Sequence, residues 1–316
     1  FTGTLAVLSH EIDWLLQPSL RVAPSTVEGA PRWDRIVTAA AAHPSTRSIV
    51  AISEPTASAF AARVTIVRMD GSTGFLHVHP ATGVVQGEGP WAGAQRILRN
   101  MHRHLNLPTG IGVPIVSALA LPMLASVITA FVVYKGWWRG FFKPVRAAKA
   151  RTLWGDAHRL AGVWSLWFLL LIGLTGLWYL VETLGGEAPP LPAAPAVVTA
   201  SAVSESAANA SSAPQRDDVE TIAARFAASV ATVQRDDPGL RIQHVVFPND
   251  RSDVFAFQGQ RNAWLVRPRA NVAFVDASNG ALLARTDARA LGVHQRISEM
   301  ADPLHFGNFA GYWTKI

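Results

Sequence analysis

Residues Ile111 to Tyr134 read IGVPIVSALALPMLASVITAFVVY, with no charged side chain. A helix rises about 1.5 Å per residue, so roughly 20 apolar residues cross a hydrocarbon core about 30 Å thick, and this stretch is longer than that. A second run, Leu160 to Val181, reads LAGVWSLWFLLLIGLTGLWYLV and is equally free of charge. Two membrane-spanning helices are predicted, and the fold class follows: a membrane protein with an α-helical transmembrane bundle.

Between the two runs, Lys135, Arg139, Lys143, Arg146, Lys149 and Arg151 face a single nearby acid, Asp156. Cationic loops stay on the cytoplasmic side, so this loop orients the bundle and places the two large polar segments, roughly 18–100 and 184–303, in a bacterial periplasm. The net charge of +6 is an orientation signal of this kind, and no nucleic-acid partner is expected. The chain contains no cysteine, which excludes disulfides, iron–sulfur clusters and covalently attached c-type haem.

Smaller signals divide the chain further. The opening Phe1-Thr2-Gly3-Thr4-Leu5-Ala6-Val7-Leu8 lacks a charged leader and reads as the end of a truncated first span, 1–17. A first extramembrane module, 18–100, shows a helical stretch at Trp33 to Ala42, alternation at Ala61 to Val67, and a strand and turn ending at Gly83. The second span (101–138), the basic loop (139–157) and the third span (158–183) follow. Residues 184–214 are rich in Pro, Ala and Ser and read as a mobile linker. The second module, 215–303, carries a helical stripe over Asp217 to Gln234, short strands at Ile242 to Phe247, Val254 to Phe257 and Ala263 to Val266, and a second strand and turn, Val272 to Gly280. The closing 304–316, with Tyr312, Trp313 and Lys315, reads as the start of a fourth span.

The two halves echo each other. Gln95-Arg96-Ile97 recurs as Gln295-Arg296-Ile297, and Thr2-Gly3-Thr4-Leu5 matches Thr175-Gly176-Leu177-Trp178. A duplicated unit of helix, α+β module and helix is the simplest source of that pattern.

Histidines at the span boundaries carry the chemistry, because a polar ring in a hydrocarbon setting needs a partner. His158 lies at the cytoplasmic end of the third span, with Gly162, Ser165, Gly173 and Gly176 further along the same helix. His102 and His104 precede the second span, His305 occupies the matching place before the fourth, and His10 lies on the same side near the end of the first. Two neutral imidazoles from different helices are what a b-type haem requires, and the duplication favours His102 with His305 as an outer pair. His104 is the register alternative, seven residues after Ile97 where His305 lies eight after Ile297. By the same symmetry His158 takes a partner about eighteen residues before Gly3. His77 and His79 sit in x-His-x-His spacing, a weaker metal candidate, while His43, His244 and His294 read as ordinary surface or strand residues. There is no Gly-rich dinucleotide loop and no nucleophile–base set.

The order of these motifs, Thr2-Gly3, Glu11-Ile12-Asp13, Pro18, Pro80-Ala81-Thr82-Gly83, Met101-His102-Arg103, the His158 helix and Leu304-His305-Phe306-Gly307, resembles the PepSY-associated transmembrane proteins, and among them the FoxB-like ferric-siderophore reductases. The resemblance implies four helices, two periplasmic PepSY-like modules and two b-type haems. It also implies an oxidoreductase that takes electrons from a cytoplasmic or quinone donor and reduces ferric siderophores, hydroxamates among them, in the periplasm. Trp14, Trp91 and Trp313 are candidate substrate contacts. Two other functions fit the same layout: a non-enzymatic membrane protein whose modules bind or regulate a periplasmic partner, and a siderophore uptake component.

Overall fold

A computed structural model describes residues 2–23, 30–147, 149–195, 219–249, 252–308 and 314. In chain order the elements are α1 (Thr2–Val7), α2 (Ser9–Leu16), α3 (Trp33–Ala42), β1 (Thr46–Ser53), β2 (Ala62–Arg68), β3 (Thr73–Val78), β4 (Val85–Pro90), α4 (Ala94–His104), α5 (Thr109–Ala118), α6 (Ala120–Val133), α7 (Trp137–Gly140), α8 (Ala150–Val181), α9 (Val219–Asp236), β5 (Arg241–Val246), β6 (Val254–Gln260), β7 (Val272–Asp276), β8 (Leu282–Arg285) and α10 (Val293–Phe306). They form two compact units, one from Gly3–Arg99 with Pro190–Arg296, the other from Thr2, Asn100–Pro189 and Ile297–Ile316.

In the first unit, both extramembrane segments contribute to a single antiparallel sheet of eight strands, ordered β4-β3-β2-β1-β5-β6-β7-β8. Each segment supplies four strands and one helix. Four strands alone would leave β1 and β5 as open edges with unpaired backbone groups. Pairing them, with Ile52 opposite Val245 and Ser53 opposite His244, closes both. Ser53 Oγ lies 2.9 Å from His244 Nδ1 at this seam, and Glu54 accepts from Arg241 at 2.7 Å. On one face α3 presents Trp33, Ile36, Val37, Ala40 and Ala41, a helical stripe, and α9 presents Phe226 and Val233. Alternate strand residues meet them: Val64 and Ile66, Leu76 and Val78, Phe255 and Phe257, Ala273 and Val275, all in one core.

The duplication extends to the turns after β3 and β7. Gly83 and Gly280 both adopt positive φ, 77° and 71°, where glycine carries no side-chain penalty. Before Gly280, Asp276 Oδ1 accepts from the amide of Ser278; before Gly83, His79 Nδ1 accepts from the amides of Ala81 and Thr82. His79 thus does the work of an Asx turn. His77 faces elsewhere: it is 2% exposed, with Nδ1 2.8 Å from Ser19 Oγ. The strand ends at Val78, so the two histidines do not share a strand face, and no cluster of three or more metal-ligating side chains occurs among the described residues.

Burial, followed by the charge of Arg63, lowers the His77 pKa to about 4. An unfolded histidine titrates near 6.5, so between these values the unfolded chain binds more protons and stability rises with pH. The contribution is complete above pH 6.5 and is lost as pH falls toward 4. It amounts to about 3 kcal/mol for this shift. Burial lowers His244 as well, with the same sign. Denaturant unfolding of the full chain is expected to show a lower midpoint at pH 4.5 than at pH 7.5, and His77→Gln to reduce that difference.

Four differences from the sequence expectations have physical causes. Residues Ala263 to Val266 form a loop, with Leu265 at φ 56°, because Ala263 and Val266 pack with Ala270, Ala288 and Leu291 rather than across a sheet. The first span's end bends at Leu8 (φ −86°, ψ 7°) between α1 and α2, with helical backbone bonds from Leu8 to Thr4 and from Ile12 to Leu8 carried across it. The predicted second span, 101–138, is not one helix: Leu105 and Asn106 take left-handed φ of 55° and 56°, and the helix restarts after Pro108. The third helix starts at Ala150, not at 158, so part of the predicted loop 139–157 is helical. There Arg146 donates to both oxygens of Asp156, at 2.9 and 3.2 Å, which fastens the basic segment to α8.

The second unit is helical. Thr109–Val133 and Ala150–Gly186 are long and apolar enough to cross a membrane, and large side chains such as Ile115, Leu121, Ile128, Trp164, Phe168 and Leu174 are exposed along them. α5 and α6 both pack on α8. Gly173 and Gly176 allow this approach: a Cβ at Gly173 would lie 2.6 Å from Leu124, and one at Gly176 would lie 3.1 Å from Ala120. α10 carries His305 and ends at Phe306, where Gly307 has φ 65° and the Asn308 amide donates to the Pro303 carbonyl, a Schellman-type stop. Much of the predicted linker 184–214, the remainder of 304–316 and Trp313 lie outside the described residues.

Candidate functional site

Polar residues at helical spacing build the site. Thr175, Trp178 and Tyr179 on α8 and Glu182 just after its end follow the i, i+3, i+4, i+7 pattern that lines one face; on α10, Ser298, Asp302 and His305 are spaced i, i+4, i+7. The two stripes meet. Thr175 Oγ1 lies 2.8 Å from His305 Nδ1, Tyr179 donates to Asp302 at 2.6 Å, Trp178 Nε1 lies 3.2 Å from Ser298 Oγ, and Ser298 also donates to Glu182. The Tyr179 ring stands edge-on to His305 with centroids 5.4 Å apart.

His102 arrives from α4. The reversal at Leu105 and Asn106 brings the first turn of α5 under the last carbonyl of α4, and Leu107 donates back to His104 at 2.9 Å. Gly112 makes this possible, since a Cβ there would lie 2.1 Å from the His104 carbonyl oxygen. His102 then faces His305, ring centroids 6.1 Å apart and planes 28° from parallel. Thr2 Oγ1 is 3.2 Å from His102 Nδ1.

The other candidates lie apart from this pair. His104 follows at the end of α4, with its Nδ1 buried and lacking a hydrogen-bond partner among the described residues. His10 lies on α2 in the sheet unit, its Nε2 3.5 Å from Gln95 Nε2. His158 is exposed on α8, 17 residues before Thr175 and so about 25 Å along the axis. Gly155 and Gly162 flank it at i−3 and i+4, and a Cβ on either would meet nothing within 4 Å. The small-residue face predicted for this helix therefore has two parts: an open one around His158 and a packed one at Gly173 and Gly176. Trp14 is tied into the sheet unit by its Nε1 bond to the Ala59 carbonyl at 2.8 Å. Trp91 stacks on Phe75 at 5.2 Å, and the Arg96 guanidinium lies over the Trp91 ring at 3.6 Å.

A family model for the PepSY-associated TM region matches residues 1–316. The chain belongs to the PepSY-associated TM family. A comparison with curated proteins gives no match. The two apolar helices and the sheet unit accordingly describe a PepSY-associated membrane protein in contact with a lipid bilayer.

The His102 and His305 pair of this PepSY-associated protein can be tested for metal ligation. A metal–imidazole bond is about 2.0–2.1 Å and each ring nitrogen lies about 1.1 Å from its ring centre, so two imidazoles that share one metal have centroids no more than about 6.4 Å apart. The observed 6.1 Å lies within that limit. Both Nδ1 atoms face a threonine hydroxyl, which leaves the two Nε2 atoms for a metal. The partners Thr2, Thr175, Tyr179 and Asp302 were not legible as site residues in the sequence. The recurring Thr-Gly pair and the polar spacing on α8 were the available signals.

Proposed function

We propose that this PepSY-associated membrane protein is an inner-membrane b-type haem protein that carries electrons from a cytoplasmic or quinone donor to the periplasm and reduces ferric siderophores there. The observation that carries the reading is the separation of His102 and His305, which suits one iron between them. Bound haem would supply one-electron redox chemistry. Residues of the chain would hold it: His102 and His305 would bind an outer haem, and His158, on the open face between Gly155 and Gly162, an inner one. The spacing of about 25 Å between the levels of His158 and Thr175 suits two haems near opposite faces of a bilayer.

Iron release follows from ligand preference. Hydroxamate oxygens are hard donors that hold Fe(III) far more strongly than Fe(II), so one electron loosens the metal. Outer-sphere transfer needs no nucleophile or general base, in keeping with the sequence. The orientation rests on the basic segment fastened by Asp156, placed in the cytoplasm with the sheet unit in the periplasm.

The test is a mixing experiment with purified, fully reduced protein and a ferric trihydroxamate chelate, an Fe(II)-trapping dye being present. The haem α-band is expected to decay as trapped Fe(II) appears in equal amount. A haem-containing protein that stays reduced beside the chelate would contradict the reductase assignment. A purified protein without a haem spectrum would contradict the haem assignment and favour a PepSY protein that binds a periplasmic partner or assists uptake.

A further inference from the structure

We infer that Thr175 and Thr2 are positioning residues that hold His305 and His102 as the Nδ1–H tautomer, each half of the duplicated chain supplying one threonine–histidine unit. The inference rests on the proposed ligand role of the two histidines for its function, though not for its geometry.

The hydroxyl of Thr175 decides the direction of its bond. Its oxygen lies 2.9 Å from the Leu171 carbonyl and 3.1 Å from the Ile172 carbonyl, and these can only accept. The single hydroxyl hydrogen is used there. Toward His305 Nδ1, 2.8 Å away, the oxygen therefore offers a lone pair, and the histidine must donate. Nε2 is then the nitrogen with the free lone pair, the form in which imidazole binds a metal. The opposite tautomer would set two lone pairs against each other unless Thr175 gave up its carbonyl. Thr175 is buried at 6% exposure, so water is poorly placed to relieve that conflict.

Thr2 occupies the matching place in the other half, its Oγ1 3.2 Å from His102 Nδ1. Both threonines precede a glycine, Gly3 and Gly176, on the helix that opens each half, and each histidine sits on the helix that closes it, after Gln95-Arg96-Ile97 or Gln295-Arg296-Ile297. Each threonine thus reaches the histidine of its own half, and the two units meet where the rings lie 6.1 Å apart. Tyr179 confines the His305 ring from the side at 5.4 Å, so Thr175 sets the tautomer while Tyr179 limits rotation.

Two measurements on full-length protein test this. Nitrogen NMR of 15N-histidine-labelled protein without haem reads the tautomers directly. His305 is expected as Nδ1–H, and Thr175→Val is expected to shift it toward a mixture, while Thr175→Ser keeps the wild-type form. Haemin titration is expected to show an affinity about ten- to a hundredfold lower for Thr175→Val, again restored in Thr175→Ser, with Thr2→Val weakening it in the same sense. Wild-type tautomers and unchanged haemin affinity in Thr175→Val would overturn the inference. A wild-type protein that takes up no haem overturns the function proposed above, and the NMR comparison then still decides the threonine assignment by itself.

Discussion

Replacing His305 by alanine is expected to abolish the outer haem signal of the full-length protein while leaving the sheet unit folded. On the proposed reading the iron loses one of two strong ligands, the imidazole that faces His102. His305 stands near the C-terminal end of α10, held by Thr175, with its ring against those of Tyr179 and Phe306, and none of these offers a replacement imidazole. Absorption spectra and circular dichroism compared side by side separate the two effects: the outer-site spectrum should vanish and the β-sheet signal persist. His102→Ala should reproduce the loss, and His104→Ala, whose ring is outside the pair, should not.

Gly112→Ala is the second large effect. The added methyl would lie 2.1 Å from the His104 carbonyl oxygen and 2.7 Å from the His104 Cβ, and the first of these is backbone that cannot swing aside. Overpacking typically costs about 1–3 kcal/mol, and a clash against backbone belongs at the upper end or beyond. The turn through Leu105 and Asn106 must open, which carries His102 away from His305. The expected outcome is a thermal midpoint several degrees lower together with loss of the outer haem, although position 112 touches neither ring. Gly110→Ala is the control, since a Cβ there meets nothing within 4 Å and should change neither quantity.

The contrast between these two positions shows how far the sequence could be read. Hydropathy alone reveals the apolar runs of α5, α6 and α8, because the bilayer demands length and the absence of charge. The duplication points to His102 with His305, yet it leaves His104 open, since spacing from Ile97 cannot show a chain reversal made by two left-handed residues. The N-terminal limit of α8 is hidden by the charges before Leu160, because a charge marks the end of an apolar run and not of a helix, and Arg146 bonds Asp156 within α8. β4 carries no strand signal, because Val85-Gln86-Gly87-Glu88-Gly89-Pro90 has little strand propensity; Arg68, which bonds Glu88 at 3.0 Å and the Gly89 carbonyl at 3.1 Å, helps hold it in place. The joining of two modules into one sheet is a tertiary event at the β1 and β5 edges, and no local pattern announces it. Thr175 looked like one polar residue in an apolar helix. Its importance lies in a partner 130 residues away.

The central claim is that His102 and His305 share one iron. Electron paramagnetic resonance of the oxidised full-length protein tests it most directly. The account predicts two low-spin ferric components in the wild type, one of which, that of the outer haem, disappears in both His102→Ala and His305→Ala while the other, from the His158 site, remains. Two components that survive both substitutions would contradict it.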